Sequence, residues 1–248
     1  MKSISEVLVL AVCACVGSQG GEARSAETRL GALEAGKILF LGNSITAVPQ
    51  RDEPVWWGLS ATTPATDYAH LLVGALDAKT GGHLTMLPTT APTTHEDGTV
   101  EQCESNVINI ADVFERGYAS YTAAKISKQL AWKADIVILQ FGENIPPQTF
   151  NADVFMQGLR QLVADLKESS NPHMFVTGYI LGANPAVDEM KRTLCQEDPS
   201  HRVFVDLSSV GQDASNIGDY GHPNDRGMAL IADTLFRAIL AHSGTSTK

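Results

Sequence analysis

Three short polar segments of the sequence carry side chains that together could perform acyl transfer. They are Gly42-Asn43-Ser44-Ile45-Thr46, Gly142-Glu143-Asn144 and Asp219-Tyr220-Gly221-His222. A serine hydroxyl becomes an effective nucleophile when an imidazole removes its proton, and a carboxylate can orient that imidazole. An asparagine amide can donate a hydrogen bond to the negative oxygen that forms during the attack. The segments therefore offer a nucleophile, a base with its orienting acid, and an oxyanion donor.

Each segment also has an ordinary structural explanation when it is considered alone. Ser44 could cap the helix that follows it, and the Asn144 side chain could bond its own backbone in a polar turn. His222 could be a loop histidine at the start of the last helix. Only the combination of the three, in suitable places of the fold, favours chemistry over structure.

Short apolar runs alternate with helical patterns along the chain. Strands are predicted at 37–41, 107–110, 135–141, 174–178 and 202–206, and residues 84–87 could form another. Helices are predicted at 67–76, 118–132, 150–168, 186–195 and 223–241, the last with Pro223 in its first turn. Residues 18–35 are small, polar and charged, which predicts a linker.

This alternation predicts an α/β fold with three layers, α/β/α, around a parallel, roughly five-stranded sheet of flavodoxin-like layout. In such sheets ligands bind beyond the carboxyl ends of the strands, at the switch point. Ser44 follows the first strand and Asn144 follows the strand at 135–141. Because these two strands should be neighbours, we expect both residues at the same edge of the sheet.

The three segments resemble blocks I, III and V of the SGNH (GDSL-type) hydrolase family. The stretch HPNDRGMALIADTL is similar to the end of that family, and the resemblance covers about residues 36–242. It implies an esterase with Ser44 as nucleophile, His222 as general base and Asp219 as the acid that orients it. It also implies an oxyanion hole built from the Ser44 N–H and the Asn144 amide.

The sequence departs from the family pattern at a few positions. Block II should supply a further oxyanion glycine, for which Gly117 is preferred and Gly98 is the alternative. Block I has Asn43 where the family name has aspartate, and Ile145 follows Asn144 where an acid is frequent, so Glu143 could fix that loop instead. Asp225 is an alternative acid for the triad, but it should lie in the last helix and point away.

The substrate is indicated only by Trp57, with Trp56 beside it. An exposed pair could stack on sugar rings, which would suit a carbohydrate deacetylase and makes Trp57 the candidate substrate-binding residue. Alternatively, both rings pack beneath their loop. Two other functions use the same fold: an acyltransferase with the same triad, and a non-catalytic carbohydrate-binding protein.

Composition narrows the function classes further. The chain has 248 residues, a net charge of −10, 44% hydrophobic and 19% charged residues, typical of a globular domain. No basic cluster is present, which argues against nucleic acid and anionic membrane surfaces as partners. No Cys/His spacing suits zinc, so neither a metal nor another cofactor is expected. A small-molecule or glycan ester is the expected partner.

The amino-terminal segment resembles a targeting signal. Lys2 precedes an apolar run at 7–17, too short to span a bilayer but suitable for a signal peptide, and small polar residues follow. We expect residues 1–25 to be a leader and linker, residues 36–243 to be the hydrolase domain, and the protein to be secreted or periplasmic. A lipoprotein anchor at Cys15 is the alternative. Cys103 and Cys195 would remain, either paired or as free thiols.

Overall fold

The computed structural model describes residues 28–48, 56–81, 84, 105–145, 147–182 and 184–244. The predicted leader, Cys103, Gly98 and most of the predicted strand at 84–87 lie outside these residues. A central sheet has five parallel strands, β3 (Ile38–Gly42), β4 (Val107–Asn109), β5 (Ile136–Gln140), β6 (His173–Thr177) and β7 (Arg202–Val205). Their order in the sheet is β4-β3-β5-β6-β7. This confirms the predicted α/β fold and flavodoxin-like strand order.

Strands β3 and β5 form the middle of the sheet and are buried along their whole length. Their continuous apolar sequences suit this position, because both faces of a parallel sheet are covered by helices. Gly42 at the end of β3 is level with Asn109 of β4 and Gln140 of β5. The segments that follow these three strands therefore leave the sheet at the same edge.

Helices cover both faces of the sheet. They are α1 (Tyr68–Thr80), α2 (Ser127–Ala131), α3 (Ala152–Ser170), α4 (Pro185–Gln196), α5 (Ser208–Gln212) and α6 (Asp225–Ser243). Ile38 and Phe40 pack in one apolar layer with α1 and α6, whereas Leu39 and Leu41 pack in the other with α3 and α4. This alternation follows from the two-residue period of side chains along a strand.

The structure begins with a hairpin where the sequence predicted a linker. Strands β1 (Arg29–Leu30) and β2 (Leu33–Glu34) pair antiparallel around Gly31, which has a φ of 54°. Leu30 and Leu33 are buried, and the Ala32 N–H donates to the Ser243 carbonyl at the end of α6. Two-residue strands are too short to show a periodic pattern in the sequence. The hairpin is instead held by this contact with the end of α6.

The helix predicted at 118–132 is also interrupted. A 3-10 turn at Tyr118–Ser120 is followed by extended backbone at Tyr121 and Thr122, a second 3-10 turn at Ala123–Ile126, and then α2. The buried Tyr121 ring packs edge-on against Phe114, with ring centroids 5.7 Å apart. Burial of this ring accompanies the extended step that breaks the helix.

The last helix begins two residues later than predicted. Asn224 is its N-cap, and the Asn224 side chain accepts from the N–H groups of Arg226 and Gly227. Pro223 therefore precedes the cap and does not occupy the first turn. The helix begins after Asn224 because the Asn224 side chain satisfies two backbone N–H groups of the first turn that would otherwise lack partners.

A cluster of three histidines lies at the sheet edge opposite Ser44. His173 begins β6, its Nδ1 is 3.1 Å from His242 Nε2, and its ring stacks on His201 with centroids 5.1 Å apart. Burial lowers the pKa of His173, and the neighbouring His242 and His201 lower it further. Burial also lowers the pKa of His242. The folded state therefore disfavours protonation of both rings.

Acidification from about pH 7.5 to about pH 5 should lower the melting temperature by a few degrees. A folded-state pKa below the unfolded value means that unfolding takes up protons, so stability falls as the pH drops below about 6.5, the ordinary histidine value. Thermal unfolding at the two pH values measures the difference. His242→Gln removes one of the two rings and should reduce the difference, and an unchanged difference would contradict this assignment.

Candidate active site

Ser44 lies just beyond β3, in a turn closed by hydrogen bonds from the Thr46 and Ala47 N–H groups to the Asn43 carbonyl. A side chain at Gly42 would place its Cβ 1.8 Å from Thr46 Oγ1, so glycine is required by close packing. The Ser44 hydroxyl is half-buried and bonds a histidine side chain. The alternative explanation of Ser44 as a helix cap does not match this contact.

His222 is the partner of that hydroxyl. Ser44 Oγ and His222 Nε2 are 2.8 Å apart, and His222 Nδ1 is 3.0 Å from the Tyr220 carbonyl oxygen. A carbonyl oxygen only accepts, so the contact requires the proton of a neutral ring to be on Nδ1. Nε2 is then the acceptor and the Ser44 hydroxyl the donor. This is the arrangement in which a serine can lose its proton to a base.

Asp219 does not make the contact predicted for it. Its side chain is exposed and has no hydrogen bond within the described residues, while its backbone carbonyl accepts from the His222 N–H and the Ser60 hydroxyl. The reason is the left-handed backbone of Tyr220, with a φ of 57°, inside the 3-10 turn Asp219–Gly221. The Tyr220 carbonyl bonds the imidazole where the carboxylate was expected.

Asp225 is engaged elsewhere, as expected for a residue of the last helix. Its carboxylate accepts from the Thr62 N–H at 2.8 Å and from the Thr62 hydroxyl at 2.7 Å. Together with the bond from Ser60 to Asp219, this contact ties residues 60–62 to the histidine loop. Asp225 thus stabilises the loop that presents the imidazole and does not bond it.

Asn144 is held by two side chains that the sequence analysis did not single out. Asn144 Nδ2 donates to Glu115 Oε2 at 2.6 Å, and Asn144 Oδ1 accepts from Arg116 Nη2 at 3.1 Å. Its segment follows β5 as that of Ser44 follows β3, and the two strands end level. Gly142, with a φ of 135°, makes the turn between strand and asparagine.

Glu115 is the centre of a buried polar network beneath the nucleophile. It is fully buried, and its Oε1 accepts from Asn43 Nδ2 at 3.1 Å and from the Gly142 N–H at 2.5 Å. The only signal in the sequence was an acid five positions after the apolar run at 107–110. The contacts span 72 and 27 residues of chain, which is why sequence reasoning missed them.

Glu143 belongs to the same network and fixes its loop, as the sequence suggested. Its Oε2 accepts from Asn43 Nδ2 at 2.7 Å and its Oε1 accepts from the Ile180 N–H at 3.0 Å. Burial raises its pKa, buried Lys191 opposes this, and Glu115 adds to the rise. The Asn43 amide thus joins two carboxylates directly below Ser44.

Trp57 does not offer a stacking surface. Its side chain is buried, and its indole N–H donates to the Ala61 carbonyl at 3.0 Å. Trp56 is half-buried and packs against the apolar layer of α1 and α6. The alternative prediction, that the rings pack beneath their loop, describes the structure, and Trp57 is therefore excluded as a stacking residue.

Gly117 stands in the turn before Tyr118–Ser120, eight positions after the end of β4. A Cβ there would lie 2.6 Å from the Asp112 carbonyl oxygen, so packing alone accounts for the glycine. Its described hydrogen bonds connect it to Ser120. Its role as an oxyanion donor stays a prediction.

The described ranges contain neither a cluster suited to a metal ion nor a membrane-spanning helix. In them no group of three or more His, Cys, Asp or Glu side chains is arranged to hold a metal ion. No helix there has the length and apolarity needed to cross a bilayer. Cys195 is a buried free thiol, and burial raises its pKa to about 12. Cys103, with which the sequence left a pairing open, lies outside the described residues.

The fold is shared with solved esterase structures. A family two carbohydrate esterase from Clostridium thermocellum superposes with a TM-score of 0.52 at 18% identity, covering 86% of this chain and 65% of that one. A two-domain esterase active on acetylated mannans gives 0.53 at 20% identity, covering 86% and 52%. The esterase EstA from Pseudoalteromonas sp. gives 0.53 at 14% identity, covering 82% and 96%.

These likenesses establish the fold alone, which is the three-layer α/β/α fold with a parallel five-stranded sheet that the sequence predicted. The chain spans about half to two thirds of the length of the first two of these esterases. No family model matches the sequence, and no curated protein does.

Proposed function

We propose that this protein hydrolyses carboxylic esters, with Ser44 as the nucleophile and His222 as the general base. The 2.8 Å contact between Ser44 Oγ and His222 Nε2 is the observation that carries the proposal. The Tyr220 carbonyl supports it, because it fixes the tautomer in which Nε2 can accept the serine proton. The fold shared with several esterases is consistent with this chemistry.

The reaction would proceed through an acyl-enzyme. His222 takes the Ser44 proton while Oγ forms a bond to the ester carbonyl carbon, and the carbonyl π electrons move to the oxygen. The Ser44 N–H and one Asn144 Nδ2 proton are proposed to hold that oxyanion, with Gly117 as a further candidate donor. His222 then protonates the leaving alcohol, and water activated by the same imidazole releases the acid.

A fluorophosphonate probe tests the proposal directly. It should label the intact protein at Ser44, because only a serine activated by a base attacks phosphorus at a useful rate. Mass spectrometry of the labelled peptide locates the modified residue, and Ser169, a half-buried serine whose hydroxyl bonds the Leu130 carbonyl, is an internal control. An unlabelled Ser44 would favour the alternative of a non-catalytic carbohydrate-binding protein.

Acetylated carbohydrate is the substrate class that we propose. Two of the esterases with this fold are described as a carbohydrate esterase and as active on acetylated mannans. In this chain the Tyr220 side chain is 85% exposed, two residues from His222. An exposed aromatic ring beside the base can stack on a sugar while the acetyl group reaches Ser44. Secretion, predicted from the amino-terminal run, would suit a polymeric substrate.

Removal of the Tyr220 ring should weaken the binding of acetylated oligosaccharides selectively. Tyr220→Asn is the suitable variant, because asparagine tolerates the left-handed backbone that presents the carbonyl to His222. KM for an acetylated oligosaccharide should rise about fivefold, on the order of 1 kcal/mol, while KM for p-nitrophenyl acetate stays within about twofold. Tyr220→Phe keeps the ring and should resemble the wild type. Equal changes for both substrates would contradict a sugar-stacking role.

Transfer of the acyl group to a sugar alcohol instead of water is the alternative outcome on the same residues. Product analysis with an added acceptor sugar distinguishes the two. If free acetate is the sole acyl product, hydrolysis is supported. If the added acceptor sugar becomes acetylated, the activity is acyl transfer.

A further inference from the structure

The Asn144 amide lies between two groups of opposite hydrogen-bonding character. Glu115 Oε2 accepts from Asn144 Nδ2 at 2.6 Å, and Arg116 Nη2 donates to Asn144 Oδ1 at 3.1 Å. The two groups are consecutive in sequence, at the end of the single-turn π-helical segment Ala111–Glu115. Short π-helical segments are frequent at functional sites.

The two ends of an asparagine side chain have almost the same shape and opposite function. The NH₂ end can donate to an oxyanion, whereas the carbonyl end would repel it. A rotation of about 180° about the last side-chain bond exchanges them, so an oxyanion donor of this type needs neighbours that select one orientation.

Glu115 and Arg116 select the same orientation independently. Four N–H groups, from Asn43, Gly142 and Asn144, converge on Glu115, which matches the acceptor-only character of a carboxylate. A guanidinium only donates, so Arg116 requires the carbonyl end of Asn144. The flipped amide would lose both bonds and would place its oxygen against the buried Glu115 carboxylate.

We propose that Glu115 and Arg116 are positioning residues that hold the Asn144 amide with its NH₂ group available to the oxyanion. This inference rests on the proposed function. One Nδ2 proton is engaged by Glu115, and the second is the proton offered to the substrate. Glu115 also accepts from the Gly142 N–H and from Asn43. The same carboxylate therefore holds both Asn144 and the turn that carries Ser44.

The inference requires that Arg116 acts through Asn144 and that Glu115 does so in part. Asn144→Ala should lower kcat for p-nitrophenyl acetate on the order of 10²–10³-fold, the usual effect of losing one oxyanion donor. Arg116→Met should lower kcat about tenfold and Glu115→Gln about a hundredfold, with KM within about twofold in both. In the Asn144→Ala background Arg116→Met should lower kcat by no more than about twofold, because the orientation that it selects no longer matters, whereas Glu115→Gln should keep the part of its effect that comes from its bonds to Asn43 and Gly142.

Two further variants separate positioning from a general effect of charge. Arg116→Lys keeps a donor and should stay within about threefold of the wild type. Arg160→Met removes a different exposed arginine, whose Nη2 is 2.6 Å from Glu197 Oε1 and whose side chain is 56% exposed, close to the 53% of Arg116. Its kcat should equal that of the wild type.

Side-chain amide resonances provide a measurement that does not need turnover. In the wild type one Asn144 Nδ2 proton should be shifted downfield by the carboxylate, and the assignment follows from its disappearance in Asn144→Ala. In Arg116→Met the signal should broaden or split as the flipped amide becomes populated. Arg116 is half-exposed, so Arg116→Met should fold. It therefore still tests the inference if Glu115→Gln does not fold.

The results that overturn the inference are distinct from those that overturn the proposed function. Positioning fails if Arg116→Met behaves like Arg160→Met in kcat and leaves the Asn144 amide signal unchanged. It also fails if the effects of Arg116→Met and Asn144→Ala multiply fully in the double variant. A wild-type protein that neither turns over esters nor labels at Ser44 refutes the proposed function, whereas the amide signal still decides the orientation of Asn144.

Discussion

Ser44→Ala should lower kcat/KM for p-nitrophenyl acetate by at least about 10⁴-fold, because both proposed covalent steps pass through its hydroxyl. The remaining rate would come from binding and from the oxyanion donors acting on water. Initial rates measured with purified protein, compared with the rate in buffer alone, give the result.

The same substitution should leave the fold intact. Ser44 is half-buried and loses one side-chain hydrogen bond, which is worth about 1 kcal/mol of unfolding free energy. Ser169→Ala removes a similarly half-buried hydroxyl, bonded to the Leu130 carbonyl at 2.8 Å, and should keep wild-type activity. Undiminished hydrolysis by a well-folded Ser44→Ala protein would refute the proposed mechanism.

His222→Ala and Asp219→Asn should differ from each other in kcat by more than about three orders of magnitude. Loss of the base should lower kcat at least about 10⁴-fold. Where a carboxylate orients the base, the change from aspartate to asparagine costs on the order of 10⁴-fold in kcat. Here the imidazole bonds the Tyr220 carbonyl and the Asp219 side chain is exposed, so Asp219→Asn should stay within about threefold.

This pair of variants decides between two designs of the same site. Steady-state kinetics of both proteins on one aryl ester are sufficient, with thermal unfolding as the check of folding. A large loss of kcat in Asp219→Asn would mean that the carboxylate reaches His222 during turnover. The Ser-His-Asp triad that the sequence resemblance implies would then replace the arrangement built on a backbone carbonyl.

The scaffold of the site was predictable because it depends on local patterns. The apolar runs at 37–41 and 135–141 are close to β3 and β5, and the flavodoxin-like layout predicted their adjacency. That adjacency and the family blocks predict that Ser44 and His222 lie together. The contact of 2.8 Å between them agrees with the prediction.

The features that sequence reasoning missed depend on single torsions or on distant contacts. The left-handed φ of Tyr220, which no pattern in the loop reveals, determines which oxygen bonds the His222 ring. Glu115 meets Gly142 across 27 residues, a contact without any sequence period. The exposure of Trp57 depends on how residues 56–61 fold back. The sequence was equally consistent with an exposed ring and with a ring packed beneath the loop.

The use of a main-chain oxygen to orient the base has an evolutionary consequence. A carboxylate can be lost by one nucleotide change, but a peptide carbonyl is present whatever residue is encoded at position 220. The exposed side chains at positions 219 and 220 can therefore vary while proton transfer is preserved, provided that residue 220 tolerates the left-handed backbone. Saturation libraries at these two positions should yield many active clones with altered substrate preference. Proline at position 220 should be absent from them, because its ring fixes φ near −65° and cannot adopt the observed 57°.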